Sequence, residues 1–463
     1  MSAKPLPGFR DFYPSELAER AHVMRVWREV TRRYGFVEYD GPPLEPLELY
    51  TRKSGEEIVG QLYAFTDKGE RQVAMRPEMT PTFARMVAAR AAALRKPVRW
   101  MSVPQLFRYE RAQRGRLREH FQLNVDIVGE ADVTADAELL AVAIDILRAF
   151  GLGAADVRAR VSDRRLLAAL LAGVGVDEAQ RPAAYAAIDK VERDPRAVLV
   201  ERLTAAGIAA HVAGRVLDLA RPTTIEALRG EFGAVPGVAP ELERMERYLG
   251  HLEALGVRDW VVLDLTIVRG LAYYTGIVFE LFDAQGELRA ICGGGRYDTL
   301  LGALGGADLP ALGFGMGDVV LGELLRARGL MPAFAPAIQW WVAADDAALL
   351  PLVMRVATLL RRTGHSVEYA LREQALGKQL KAAASAGAVA AVLLRKQALA
   401  EGGTVTLRRL ADGVEETLPI SAWMDQVAAL GDAPAAPVPA APARSPTPDG
   451  AAAPDGRANG AHG

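Results

Sequence analysis

Cysteine is nearly absent: Cys292 stands alone among 463 residues, which excludes an internal disulfide. With only six histidines, no cysteine–histidine cluster suggests zinc. An excess of charge is missing too. The net charge is −2, so nucleic acid can be met only through a local patch. No run of about eighteen apolar residues offers a membrane span. The N-terminus, MSAKPLPGFRDFYP, lacks the apolar stretch of a signal peptide. A soluble, cytoplasmic protein is the expectation. The Walker pattern GxxxxGK followed by Ser or Thr does not occur, and GFGMGD (313–318) is not GxGxxG after a strand. Any nucleotide is therefore held by neither common parallel-sheet phosphate loop.

What is present is apolar residue in quantity, 50% of the chain, enough for sizeable cores, and a length that suits about two to four domains. Residues 15–34 read as an amphipathic helix with Ser15 as N-cap and Gly35 as stop. In GFVEYDGPPLEP the paired prolines end a strand or line its edge. Residues 99–109 and 120–128 read as two strands, and 134–150 as a helix with Leu139, Leu140, Ala143, Ile146, Leu147 and Phe150 on one face. About 160–255 is Ala-, Leu- and Arg-rich and reads as an inserted helical domain. Strand alternation returns in VVLDLTIV (261–268), and IVFELFDAQGELRAIC (277–292) reads as a hairpin turning at 283–286. Beyond Pro336 a strand–helix–strand–helix–strand pattern predicts a small α/β domain reaching about residue 425. Residues 431–463, rich in Ala and Pro without periodicity, read as a disordered tail. No internal repeat is visible. The hairpins make the larger core an antiparallel, α+β structure.

Positive charge gathers between the two strands at 99–128, in Arg108, Arg111, Arg114, Arg116 and Arg118. On the second strand Phe121, Leu123, Val125 and Ile127 point one way, and Gln122, Asn124 and Asp126 the other. Arg108 and Glu110 share a face of the first strand. One reading is a solvated hairpin with surface arginines. The other is a site for a polyphosphate and a small zwitterion, because the arginine fork suits phosphate oxygens and Gln and Asp suit an ammonium group.

FRYERAQRGRLREHFQLNVD (107–126) resembles motif 2 of the class II aminoacyl-tRNA synthetases, in the form carried by histidyl-tRNA synthetases. MRPEMT (75–80) is similar to that family's RPExT segment, TIVRGLAYYTGIVFE (266–280) to its RGLxYYTG motif, and ICGGGRYDTLLG (291–302) to the GGGRYD that follows. The first helix and YGFVEYDGPP resemble motif 1, a dimer-interface element, with Pro42 as its proline. GFGMGDVVLGELL (313–325) sits where motif 3 belongs. The class I signatures HIGH and KMSKS are absent. The resemblance spans about residues 5–425.

It implies a class II catalytic core over 1–330, a helical insertion at about 160–255 and an anticodon-binding α/β domain at 336–425. The implied reaction joins L-histidine to ATP, with Mg²⁺, and passes the histidyl group to tRNA(His) on a homodimer. A carboxylate is already ionised near neutral pH, so the first step needs alignment and charge stabilisation in place of a general base. Carried over, Arg108 holds the α-phosphate and the substrate carboxylate side, while Arg116 and Arg118 reach the outer phosphates of ATP. Gln122 and Asp126 receive the amino group, with Glu78 and Thr80 beside them. Arg269 is the second cation on the α-phosphate, and Tyr273 and Tyr274 close the imidazole pocket.

Plainer readings stand beside these. Arg269 can simply end a strand at the surface, Glu78 can be an ordinary surface acid, and Tyr273 and Tyr274 alternate in direction, which puts one of them in a core. His120 reads as incidental and Cys292 as core. Two departures from the family pattern are visible: Ala272 where many members carry Asp, and Val320 where motif 3 usually has an arginine packed on the adenine. Two other functions fit a synthetase-like core: a histidine-sensing paralogue such as the regulatory subunit of ATP phosphoribosyltransferase, and a tRNA-binding module without catalysis.

Overall fold

The computed structural model describes residues 4–51, 60–110, 115–268, 273–286, 288–334 and 338–430. The chain divides into two units, Met1–Met331 and Pro332–Gly463. The first carries strands β1 (Val37–Glu38), β2 (Leu44–Pro46), β3 (Ala64–Thr66), β4 (Gln72–Met75), β5 (Val98–Ser102), β6 (Gln105–Phe107) and β7 (Glu119–Val128). It continues with β8 (Val157–Asp163), β9 (Val261–Leu263), β10 (Ile277–Asp283), β11 (Cys292–Arg296) and β12 (Ala311–Gly317). The main sheet runs β1-β5-β7-β12-β11-β10-β8-β9, with β6 also on β7, while β2-β4-β3 form a small separate sheet. Among the described pairings of this unit, β1·β5 and β8·β9 are parallel and the others antiparallel.

Strand β7 is the central element, and its sequence explains its place. Leu123, Val125 and Ile127 enter the largest apolar cluster, together with Trp27 and Val30 of helix Pro14–Arg33 and Leu139, Leu140 and Ile146 of helix Val133–Ala149. The opposite face carries Asn124 and Asp126, also buried, beside a second cluster that holds Phe83, Tyr274, Val278 and Tyr297. Both faces of the strand are thus covered, but one by helices and the other by polar and aromatic groups.

Local chemistry revises several boundaries. The expected strand 99–109 is two strands, β5 and β6, separated at Pro104, which has no N–H for the ladder; its carbonyl instead accepts from Gln122 N–H at 3.2 Å. The strand expected over 261–268 stops at Leu263. There Asp264 captures the Thr266 N–H at 3.0 Å and its hydroxyl at 2.7 Å, an Asx turn that competes with strand pairing. Ser15 does not cap the first helix. Tyr13 occupies the N-cap, Pro14 fills the first turn, and the Ser15 hydroxyl turns to Glu16. Gly35 does end that helix, with φ +75° and its N–H on Arg32 O at 3.0 Å. The hairpin of β10 and β11 pairs Val278 with Gly295 and Leu281 with Cys292, so its second strand is CGGGR.

Residues 160–163 belong to β8, and the helices that follow, from Arg164 to Ala254, put Leu166, Leu170, Leu242 and Tyr248 into the same apolar cluster as the sheet. The second unit has β13 (Trp340–Ala344), β14 (Val367–Tyr369), β15 (Ala390–Leu394), β16 (Thr404–Arg409) and β17 (Glu415–Pro419) in the order β14-β13-β15-β16-β17. Its first three strands pair in parallel, as the alternation with helices Leu350–Arg362 and Leu376–Ser385 requires, and β16 and β17 add an antiparallel edge. The tail at 431–463 lies outside the described residues.

Candidate active site

The polar face of β7 is kept open by its neighbour. Strand β12 reads ALGFGMG, and Gly313 pairs with Asp126, Gly315 with Asn124 and Gly317 with Gln122. A Cβ on Gly313 would lie 2.1 Å from Asp126 Oδ1, and one on Gly315 would lie 2.8 Å from Gln122 Cδ. Glycine is therefore what leaves these two side chains their room. The buried carboxylate of Asp126 accepts a hydrogen bond from the Tyr297 hydroxyl of GGGRYD. Burial pushes the Asp126 carboxyl up to about 7, against the opposing effect of that hydrogen bond.

Glu78 lies buried on the MRPEMT segment, and Tyr273 donates to its Oε2 at 3.5 Å. Tyr273 also stands edge-on to Tyr297, with ring centroids 5.8 Å apart. Glu78, Tyr273, Tyr297 and Asp126 thus form a continuous polar and aromatic wall. Thr80, half-buried, opens helix Thr80–Arg90 at one end of this wall. Tyr274 turns into the apolar cluster with Phe83 and Val278, and a Cβ on Gly295 would stand 3.0 Å from its ring. The Glu78 segment is held by Arg76, which is buried and bonds Asp40 at 2.7 Å and Gln105 O at 3.0 Å.

Of the arginines, Arg108 follows β6, with its backbone N–H on Arg118 O at 3.0 Å and its Nε on Pro77 O at 2.8 Å. Arg116 pairs with the buried Glu110. Arg118 is tied down: Nε donates to Glu110 O at 3.1 Å, Nη1 to Pro7 O at 3.4 Å, and its guanidinium lies 4.3 Å over the Tyr109 ring. Arg269, expected on the α-phosphate, lies outside the described residues, as do Ala272, Arg111 and Arg114.

Three side chains escaped sequence reasoning. Arg10 reaches Glu119 of β7 at 2.6 Å and Asp318 at 2.9 Å, while the other oxygen of Asp318 accepts the Phe121 N–H at 2.9 Å. This knot ties the N-terminal segment and the start of helix Asp318–Ala327 to the strand that carries the site. No periodicity marks Arg10, since its partners are far away in sequence. His120, set aside as incidental, shares the polar face of β7 with Gln122 and Asp126. Desolvation, then the nearby guanidinium groups of Arg108, Arg10 and Arg116, hold its imidazole down at about 3, so it stays neutral. Arg296 makes a buried ion pair with Asp136 and donates to Glu130 O at 2.9 Å, which locks β11 to the helix behind it. Cys292 is buried, and Val320 is buried in the main apolar cluster, so neither presents a polar group to the site.

A family model described as histidyl-tRNA synthetase matches residues 8–317. The chain belongs to this family. A second model, described as an anticodon binding domain, matches residues 340–430. The histidine–tRNA ligase of Opitutus terrae is 46% identical over 419 residues, covering 89% of this chain and 95% of that protein. The chloroplastic/mitochondrial histidine–tRNA ligase of Arabidopsis thaliana is 39% identical over 421 residues, covering 91% and 86%. In fold, the crystal structure of histidyl-tRNA synthetase from Nostoc sp. PCC 7120 superposes with a TM-score of 0.77 at 24% identity, covering 92% of this chain and 99% of that one. The antiparallel sheet with its helices, followed by an α/β unit, is the class II arrangement expected of the family.

Proposed function

We propose that this chain is a histidine–tRNA ligase, which activates L-histidine with ATP to histidyl-adenylate and transfers the histidyl group to the 3′ end of tRNA(His). The observation that carries the reading is the wall of Glu78, Tyr273, Tyr297 and Asp126, a largely buried set of hydrogen-bonding groups beside Arg108. It sits in a chain whose relatives of that name match over nearly their full length.

The side chains divide the work by chemistry. Asp126 and Gln122 receive the substrate ammonium, and Glu78 with Tyr273 meets the imidazole. A substrate lacking the imidazole N–H leaves those buried partners unpaired and is rejected. Arg108 and Arg269 flank the substrate carboxylate and the α-phosphate, where charge develops as the carboxylate attacks and pyrophosphate leaves. Arg116 and Arg118 take the outer phosphates, which requires each to leave the partners described above. Mg²⁺ is expected to accompany the triphosphate of ATP. Mg²⁺ screens the phosphate charge when bound.

The helical stretch 160–255 acts as an insertion in the catalytic core, and the unit at 336–425 as the anticodon-binding domain. The first helix and the strand after it form the homodimer contact implied by their likeness to motif 1. A cytoplasmic site of action goes with translation, and among the described residues no helix is long and apolar enough to cross a membrane.

ATP–pyrophosphate exchange with and without histidine tests the reading. Histidine-dependent exchange is the expected result; its absence in the wild type leaves a histidine-sensing paralogue. In the same assay Arg269→Ala slows histidyl-adenylate formation by about 100- to 1000-fold if the residue stabilises the transition state. As a surface arginine it changes the rate little.

A further inference from the structure

The connection between β10 and β11 contains an arginine that none of the motifs claims. Arg289 lies between two anchors: Leu288 packs against the main apolar cluster, and the Ile291 N–H bonds Leu281 O at 2.8 Å, which adds a rung to the hairpin. These anchors bring the Arg289 stem to the chain just after the arginine-rich loop. Gly115, just after that loop, is in the left-handed region at φ +71°, and a Cβ there would lie 3.9 Å from Arg289 Cδ and 3.5 Å from Val320 Cγ2. Arg289 and Val320 therefore approach the same point from two sides of Gly115. Val320 is the position from which a motif 3 arginine is missing.

The charges around Arg289 are one-sided. Partial desolvation first, then the charges of Arg116 and Arg193, hold its guanidinium below the ordinary value, with Glu110 opposing them. Glu110 is already paired with Arg116. Among the described residues Arg289 makes no hydrogen bond or ion pair, although its side chain is exposed and free to turn. A guanidinium placed beside like charges, with the nearest carboxylate engaged, gains most from an anion of high charge.

We propose that Arg289 is a substrate-binding residue for the outer phosphates of ATP, forming with Arg116 a two-arginine clamp. This rests on the ligase reading for the identity of the nucleotide. Gly115 owes its identity to its left-handed φ of +71°, since a Cβ there would meet Val320 and Arg289 only at ordinary contact distance.

The test is calorimetric titration of Mg·ATP and of AMP into the full-length wild type, Arg289→Ala and Arg289→Lys, beside a melting curve for each. Losing a charge-assisted phosphate contact weakens ATP binding by about tenfold or more. AMP, which lacks the outer phosphates, binds all three proteins alike, and Arg289→Lys keeps most of the ATP affinity as a point charge. Unchanged ATP affinity in Arg289→Ala overturns the clamp. So does an equal loss for AMP, or a lysine variant no better than alanine, since either places Arg289 on the purine. Binding is read without turnover, so failure of the wild type to exchange pyrophosphate counts against the ligase reading and leaves this comparison interpretable.

Discussion

Tyr297 donates its hydroxyl to Asp126, and both side chains are buried at the floor of the site. The bond favours the ionised carboxylate, yet burial outweighs it and holds the carboxyl at about 7, well above its usual range. Asp126 is therefore poised to gain or lose a proton near neutral pH, and on the ligase reading an incoming ammonium would favour its charged form.

This has a pH signature. The folded chain keeps a proton on Asp126 that the unfolded chain releases near pH 4, so the stabilisation is complete below that pH and is lost as pH rises through about 7. The upper bound is roughly 4 kcal/mol for a shift of about three units. Asp126→Asn should flatten the dependence, narrowing the difference in Tm between about pH 5 and about pH 8 relative to the wild type, while it impairs histidine use. Tyr297→Phe should do the opposite to the carboxylate: with its donor gone, Asp126 ionises at higher pH, and the rise in histidine KM on acidification begins earlier. A wild-type KM profile in Tyr297→Phe would remove the hydrogen bond from the mechanism.

Arg10 is a positioning residue whose loss should be felt at a distance. Arg10→Ala leaves Glu119 and Asp318 buried without their shared cation, and breaking such a pair costs on the order of 3–5 kcal/mol. Arg10→Lys, a single point charge, should recover only part of this, because it cannot fork to both carboxylates. Urea unfolding measures the stability. A readout beyond stability is the KM for ATP at a temperature where both variants are folded, which should rise because β7 and the helix beginning at Asp318 lose their mutual registration.

The contrast between these two sites shows what sequence could carry. The polar face of β7 was legible because alternation is a local rule, and Gln122 and Asp126 obey it whatever packs above them. The Arg10 knot was not, because it joins residues 109 and 308 positions apart. The end of the strand at Leu263 was missed for a different reason: VVLDLTIV satisfies alternation throughout, but the Asp264 side chain outbids the ladder for Thr266. His120 was set aside because strand alternation does not show the burial and the guanidinium charges that keep it neutral. Tyr297 was quoted within a motif without a role, since only the fold sets its hydroxyl on Asp126.

The second unit should be separable from activation. It carries its own apolar cores, one containing Val342, Val356, Leu360, Val392 and Trp423 and another containing Trp341, Ala343 and Leu393. Truncation at Pro332 should leave histidine-dependent pyrophosphate exchange detectable while charging of tRNA falls by more than about tenfold, the loss expected from removing a set of phosphate contacts. Retention of full charging by the truncated protein would take the unit out of tRNA recognition.

The glycines of β12 give the most local test, because two of them sit on one strand and differ only in what faces them. A Cβ at Gly313 would stand 2.1 Å from Asp126 Oδ1 and 2.9 Å from Val125 O. Asp126 is buried, so the clash cannot be relieved by swinging it into solvent. A Cβ at Gly317 would meet no atom within 4 Å, and its φ of −85° suits any residue. Gly313→Ala should therefore displace Asp126 and raise the histidine KM by about tenfold or more, the scale of a lost charge-assisted contact. Gly317→Ala should melt like the wild type. If the two variants raised the histidine KM equally, the open floor of β7 would owe nothing to the close approach of Gly313, and Asp126 would not be the group that receives the substrate ammonium.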